Sequence, residues 1–183
     1  MNISKWLASA AVSWLLVWAV VGQENAAPKK STQIVNVIIP ATMKAAAQSA
    51  AALGCDGTLL KHVYDPTRLQ MIAPCIEVSG TIFHIKPEAD GDDHIQLRVD
   101  PQFENLLNNL NKSEQADSLI LEPVCQGLVT QPDAISACRD FHSPVDVPAQ
   151  GTKVRVLGRF VLDTEEDHGW TEIHPVTRIT PVQ

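Results

Sequence analysis

The sequence lacks the short signatures of several common enzyme chemistries. It has no GxSxG elbow to present a nucleophilic serine, no phosphate-cradling P-loop and no HExxH zinc motif. His142, Ser143 and Asp146 stand close together, but near neighbours in a proline-containing loop do not make a catalytic triad. No CxxC spacing is present, which argues against a zinc ribbon. Positive charge is also short: 14 Lys and Arg stand against 21 Asp and Glu, a net charge of -7. An acidic domain repels phosphate backbones, so general nucleic-acid binding is not expected. Beyond the N-terminus no apolar run reaches the roughly 20 residues that a membrane-spanning helix needs.

The N-terminus differs from the rest. Lys5 is the only charged side chain before Glu24, and Trp6 to Val21 are all apolar or small. This run of about 16 residues falls short of a membrane span. A basic start, a short apolar stretch and a small-residue exit form a secretory signal. Residues 1–22 are therefore expected to be a cleavable signal peptide, cut between Gly22 and Gln23, with cleavage after Ala27 as second choice. No cysteine lies near that exit, which disfavours a lipid-anchored product. The competing reading is an uncleaved anchor held by Trp14 and Trp18. Cleavage removes Lys5 and takes the net charge from -7 to -8. About 160 residues would remain, enough for one domain with its own core. The expected location is secreted or periplasmic.

Export gives the four cysteines, Cys55, Cys75, Cys125 and Cys138, a setting in which disulfides persist. Four cysteines allow three pairings, and sequence alone does not choose. Cys125 with Cys138 and Cys55 with Cys75 are preferred because each closes a short local loop. Free buried thiols are the alternative.

Residues 23–59 read as a leader. Residues 23–33 are polar, 34–39 are a short β-type run stopped by Pro40, and 41–53 are an alanine-rich helical segment that Gly54 would end. From residue 60 to 183 the pattern becomes a β domain. Ile76 to Ile85 alternates with period two, with Gly80 marking a bulge or bend. Asp90-Gly91 is a hairpin signal, and His94 to Val99 is the returning strand. Residues 101–117 are a long loop with local structure, its helical tendency weakened by the run Asn108-Asn109-Leu110-Asn111. Leu119 to Cys125 is a third strand, and Pro132 to Arg139 is a short helix that Thr130 would cap. Lys153 to Leu162 and Trp170 to Ile179 complete the set. Pro123 and Pro175 inside strands suggest edge positions or, for Pro123, a bulge. Three strands, a short helix and two strands match the order of the OB-fold, a five-stranded partly open barrel. Gly80 and Gly158 suit its sharp bends. The fold class is thus mainly β, a small five-stranded OB-like barrel, with an open antiparallel sandwich as runner-up.

The densest chemistry lies in His168-Gly169-Trp170-Thr171-Glu172-Ile173-His174-Pro175. On a strand, Trp170, Glu172 and His174 share one face. His168 and His174, with Glu172 and with His94 from the neighbouring loop, are the candidate ligands of a divalent metal. The favoured alternative is a structural network in which Glu172 orients His174 and Trp170 packs over it, with Gly169, Trp170 and Pro175 as structural positions. Asp90-Gly91-Asp92-Asp93-His94 could offer oxygens to calcium, but the late bidentate glutamate is missing. A solvated acidic turn is the favoured reading there. In an OB-fold the loops joining the first two and the last two strands flank the ligand face. Here these are residues 87–93 and 164–169, both acidic and each close to a histidine.

Tyr64-Asp65-Pro66-Thr67-Arg68-Leu69, Pro74-Cys75-Ile76-Glu77-Val78-Ser79-Gly80-Thr81, Asp90 to His94, Cys125, Thr130-Gln131, Asp133-Ala134, Ala137-Cys138 and the stretch His168 to Val176 together resemble a group of uncharacterised exported bacterial and archaeal proteins. The resemblance spans roughly residues 60–180 and is most specific in the last motif. It implies a compact domain with a shared surface, and it favours the Cys125–Cys138 pair. It implies no activity. The expected function is a secreted or periplasmic OB-like binding module for a cation or a protein partner. A metal-dependent hydrolase using His168, Glu172 and His174, and a structural cell-envelope protein, are the competing classes.

Overall fold

The computed structural model describes residues 54–182. The signal segment, its cleavage site, the run 34–39 and the alanine-rich segment 41–53 lie outside the described residues. The chain is mainly strands. Among the described residues five are present: β1 (Leu69–Pro87), β2 (Asp93–Val99), β3 (Leu119–Leu121), β4 (Lys153–Asp163) and β5 (Thr171–Pro181). They are joined by short helices, α1 (Asn109–Glu114) and α2 (Ile135–Cys138), and by one 3₁₀ turn, Pro101–Leu106; two more 3₁₀ turns, Gly57–His62 and Pro66–Arg68, precede β1.

The sheet is mixed, and its pairings run β1-β2-β3-β5-β4 and return to β1. All partners are antiparallel except β3 and β5, where Ile120 stands opposite Glu172 and Leu121 opposite Ile173 in parallel. β1 makes the return because it is long enough to serve two neighbours. Its first part pairs with β4, from Leu69 opposite Asp163 to Thr81 opposite Lys153. Its last part pairs with β2, from Gly80 opposite Val99 to Pro87 opposite Asp93. Register shifts between Met71 and Ile76 and between Ile82 and His84 let the strand bend. β1 therefore begins seven residues before the alternation at Ile76 announces it. The extra length is irregular, and so it carries no clean period-two signal.

The main core packs together Ile76, Val78, Ile82, Ile95, Leu97, Leu119, Leu121, Val154, Val156, Phe160, Ile173 and Val176 from all five strands. Gly158 sits where β4 crosses close to β5. A Cβ there would collide with Ile173 Cγ2 and stand 2.7 Å from Pro175 O. Gly158→Ala should therefore lower stability by about 1–3 kcal/mol. Urea denaturation checks this, and a midpoint within error of the parent would contradict it.

Several sequence expectations change. β3 ends at Leu121, so Pro123 lies beyond it. Neither proline marks an edge: β3 lies between β2 and β5, and β5 between β3 and β4. Pro175 is accommodated at a register shift between β4 and β5. Residues 101–117 hold a 3₁₀ turn, Pro101–Leu106, followed by α1. The asparagines that appeared to weaken a helix in fact start it. Asn108 Oδ1 accepts from the backbone N–H of Leu110 and Asn111, and Asn111 Oδ1 accepts from the N–H of Asn108. This is a reciprocal capping box. α2 is shorter than expected; its N-cap is Ala134, and Thr130 does not cap it.

Both preferred disulfides are present, Cys55–Cys75 and Cys125–Cys138. Residues 54–59, assigned by sequence to the leader, belong to the folded part. Cys55 is tied to β1, and Leu59 is buried with Val63, Val124 and Cys125. No helix among the described residues is long and apolar enough to cross a membrane.

Candidate functional site

Ile173 points into the main core, so alternation along β5 sends Glu172 and His174 to the opposite face. Both are fully buried there. There they meet Glu122 from the segment following β3, Asp92 from the 87–93 turn and Trp170 from just before β5. Charges that cannot reach water must find one another, and they do so around Glu122. Glu122 Oε2 lies 2.8 Å from His174 Nδ1 and 3.8 Å from Arg68 Nη2. Its Oε1 lies 3.2 Å from His94 Nδ1. His174 Nδ1 also meets Glu172 Oε1 at 3.0 Å, and Trp170 Nε1 donates to Glu172 Oε2 at 3.1 Å. Glu172 and His174 are thus neighbours, as their spacing implied.

Arg68 extends the network to a third histidine. Its Nη1 pairs with Asp163, whose Oδ2 lies 2.8 Å from His168 Nδ1. His168 packs against Trp170, ring centroids 4.2 Å apart, while His94 meets the same indole edge-on at 6.1 Å. His94 Nε2 is occupied by Gln115 Oε1 at 3.0 Å.

The 87–93 turn is not solvated as expected. Gly91, at φ +97°, turns the chain so that its carbonyl receives the N–H groups of Gln126 and Gly127. This carries Asp92 inward, where only 3% of it is exposed and Oδ1 accepts the Cys125 N–H at 2.7 Å.

Burial and charge together set the protonation of this cluster. Burial pushes Asp92 up to about 8, despite the attraction of His174. Burial, reinforced by Glu122, raises Glu172 to about 7. Burial opposes charging His174, but Glu122 and Glu172 outweigh it and hold its pKa well above the usual value. His94 is raised in the same way, burial being outweighed chiefly by Glu122. Glu122 goes the other way: burial would raise it, but His174, His94 and Arg68 hold it below the usual carboxylate range. Four groups with raised folded pKa values stabilise fully below their ordinary values and lose that contribution as pH rises through the folded ones. Glu122 alone loses its contribution as pH falls below its ordinary value. In chelator, the melting temperature should therefore peak at about pH 4–5 and fall steadily towards pH 9. Thermal denaturation across that range checks the sign, and a melting temperature rising from pH 5 to 9 would contradict it.

An open cleft lies beside this network, between the 87–93 and 164–169 turns. One part, of about 420 Å³, is lined by Tyr64, Arg68, Glu88, Asp90, Glu165 and His168. The adjoining part, of about 270 Å³, is lined by Lys86, Glu88, His94, Gln115, His168 and Trp170. No family model matches this chain, and no curated protein or solved structure matches it. The geometry is therefore the guide to its chemistry.

The four candidate ligands do not meet at one point. Among the described residues, the groups close enough to share an ion are Glu88, His94 and Glu122; Asp92, Glu122 and His174; Asp163, Glu165 and His168; and Asp92 with Cys125 and Cys138. The three histidines fall in three separate groups, and Glu172 joins none of them. Sequence reasoning passed over Arg68, Asp92, Glu122 and Asp163 as site residues. Glu122 did carry a signal, as the lone charge in the apolar run Leu119-Ile120-Leu121-Glu122-Pro123-Val124. Such a charge is buried only with partners.

Proposed function

We propose that this protein is an exported binding module of OB-like barrel topology, and that its cleft takes a basic segment of a protein partner. The observation that carries this reading is the position of the cleft. It opens between the turn joining β1 to β2 and the turn joining β4 to β5, the pair that flanks the ligand face in OB-folds. The ring of pairings and the strand order support the topology. Two disulfides suit a location outside the cytoplasm.

The lining favours a cationic guest. Arg68 is already committed to Asp163, Glu122 and Glu165. Glu88 and Glu165, paired with Lys86 and Arg68, remain within reach of solvent, their side chains 29% and 47% exposed. The net charge of -7 adds a long-range attraction for basic partners. Titration calorimetry with a Lys- and Arg-rich peptide and with single-stranded DNA is the test. Peptide binding that weakens with salt and falls at least about tenfold in the Glu88→Gln/Glu165→Gln double variant is expected, since rim charges act through screened attraction. Tight DNA binding, unaffected by those substitutions, would overturn the proposal.

A further inference from the structure

Asp92 and His174 face one another in the interior, each with one polar atom unused. His174 Nδ1 is taken by Glu122 and Glu172 at 2.8 and 3.0 Å, whereas Nε2 has no hydrogen-bond partner. Asp92 Oδ1 accepts the Cys125 N–H, whereas Oδ2 has no partner. The two unused atoms are 3.6 Å apart. His174 is wholly buried and Asp92 is 3% exposed.

That separation discriminates between ways of satisfying them. It is too long for a direct N–H···O bond, which spans about 2.7–3.2 Å. It is close to the spacing of two ligands on one metal ion: bond lengths of about 2.0–2.2 Å at a tetrahedral angle place donor atoms roughly 3.3–3.6 Å apart. The far side of the imidazole supports the same conclusion. A metal-binding histidine presents one nitrogen to the ion and gives its other N–H to a carboxylate, which fixes the ring and its tautomer. Glu122 and Glu172 already hold Nδ1 in that way. Charge agrees as well. Asp92, Glu122 and Glu172 put three carboxyl groups around His174, and among the described residues Arg68 is the one permanently charged cation paired with any of them.

We propose that His174 Nε2 and Asp92 Oδ2 are ligands of a buried divalent transition-metal ion of the zinc class. An imidazole beside a carboxylate suits such an ion better than calcium or magnesium, which take all-oxygen shells. The remaining positions fall to water, because both Glu122 oxygens are engaged, Oε2 by His174 Nδ1 and Oε1 by His94 Nδ1. Of the histidines, the site uses His174 alone. It is separate from the cleft, and it stands or falls independently of the peptide-binding reading.

The test uses the full chain, stripped with chelator and equilibrated with zinc or cobalt chloride. Elemental analysis should give one equivalent of metal. Cobalt should show the visible absorption of a tetrahedral site, and X-ray absorption of the zinc form should show one imidazole per ion. Asp92→Asn, which keeps the Cys125 contact, and His174→Gln should abolish uptake, while His168→Ala should retain it. Absence of metal from the parent protein would overturn the proposal, and so would two or more imidazoles per ion. Uptake that survives in Asp92→Asn but is lost in His168→Ala would overturn it too.

Discussion

Glu122→Ala is expected to destabilise the protein by about 3–5 kcal/mol. The substitution does more than remove one side chain. Glu122 is the counter-charge shared by His94, His174 and Arg68, all of them buried. Without it, three largely buried cations crowd together, and Glu172, Asp163, Glu165 and Asp92 are left to offset them. Domains of this size are commonly stable by about 5–15 kcal/mol, so the variant should unfold at far lower urea or fail to accumulate. Glu122→Gln separates charge from shape. It keeps the volume and the capacity to accept hydrogen bonds, so its loss should be smaller than that of the alanine variant. Paired urea titrations measure both. A cost below about 1 kcal/mol for alanine would mean that the three cations do not depend on this carboxylate.

The second large effect is predicted at Asn111, which no reading of chemistry-bearing residues would select. Its amide is fully buried and fully used. Oδ1 accepts from Asn108 N at 3.1 Å, from Thr171 N at 2.9 Å and from Thr171 Oγ1 at 2.7 Å. Nδ2 donates to Ser118 O at 2.9 Å and to Thr171 O at 2.8 Å. One side chain thus ties α1 to the start of β3 and to the first residue of β5, beside Glu172. Asn111→Ala leaves several buried backbone groups unpaired, each costing about 1–3 kcal/mol, for an expected total of about 3–5 kcal/mol. Hydrogen exchange gives a local readout. The Thr171 amide should lose protection more than the amides of Val154 or Val156 in the β4 core, and uniform loss would contradict the assignment.

These two residues show where the sequence was readable. β2 and the regular part of β1 were visible because burial on one face imposes a period of two, as at Ile95, Leu97 and Val99, whereas β3, buried at all three positions, showed as a short apolar run. The order of the strands followed from counting them. The Glu172–His174 contact was visible because residues two apart on a strand share a face. Asn111 was hidden because its partners are backbone groups of Ser118 and Thr171, which no local pattern announces. The convergence of Arg68, Asp92, Glu122 and Asp163 was hidden for a related reason. They come from four separate segments, and only the return of β1 to β4 and the parallel pairing of β3 with β5 bring them together. Asp92 was misread as a surface residue because an acidic turn has the composition of a solvated one. The inward turn depends on Gly91 docking against Gln126 and Gly127, a contact between distant segments.

Glu122 has one further property, in its main chain. Its N–H donates to Ile173 O at 3.0 Å, and its carbonyl accepts from Val176 N at 3.1 Å. The backbone of Glu122 therefore grips β5 on both sides of His174, while its carboxylate reaches His174 itself. Alignment of the two strands and pairing of the charges are then a single event. Were β5 to slide by two residues, the inward faces would still match, but the carboxylate would sit against Glu172 or Val176 in place of His174, with its buried cations stranded. The ionic cluster thus works as a lock on strand alignment: a misaligned chain can be compact, but it cannot be electrically balanced.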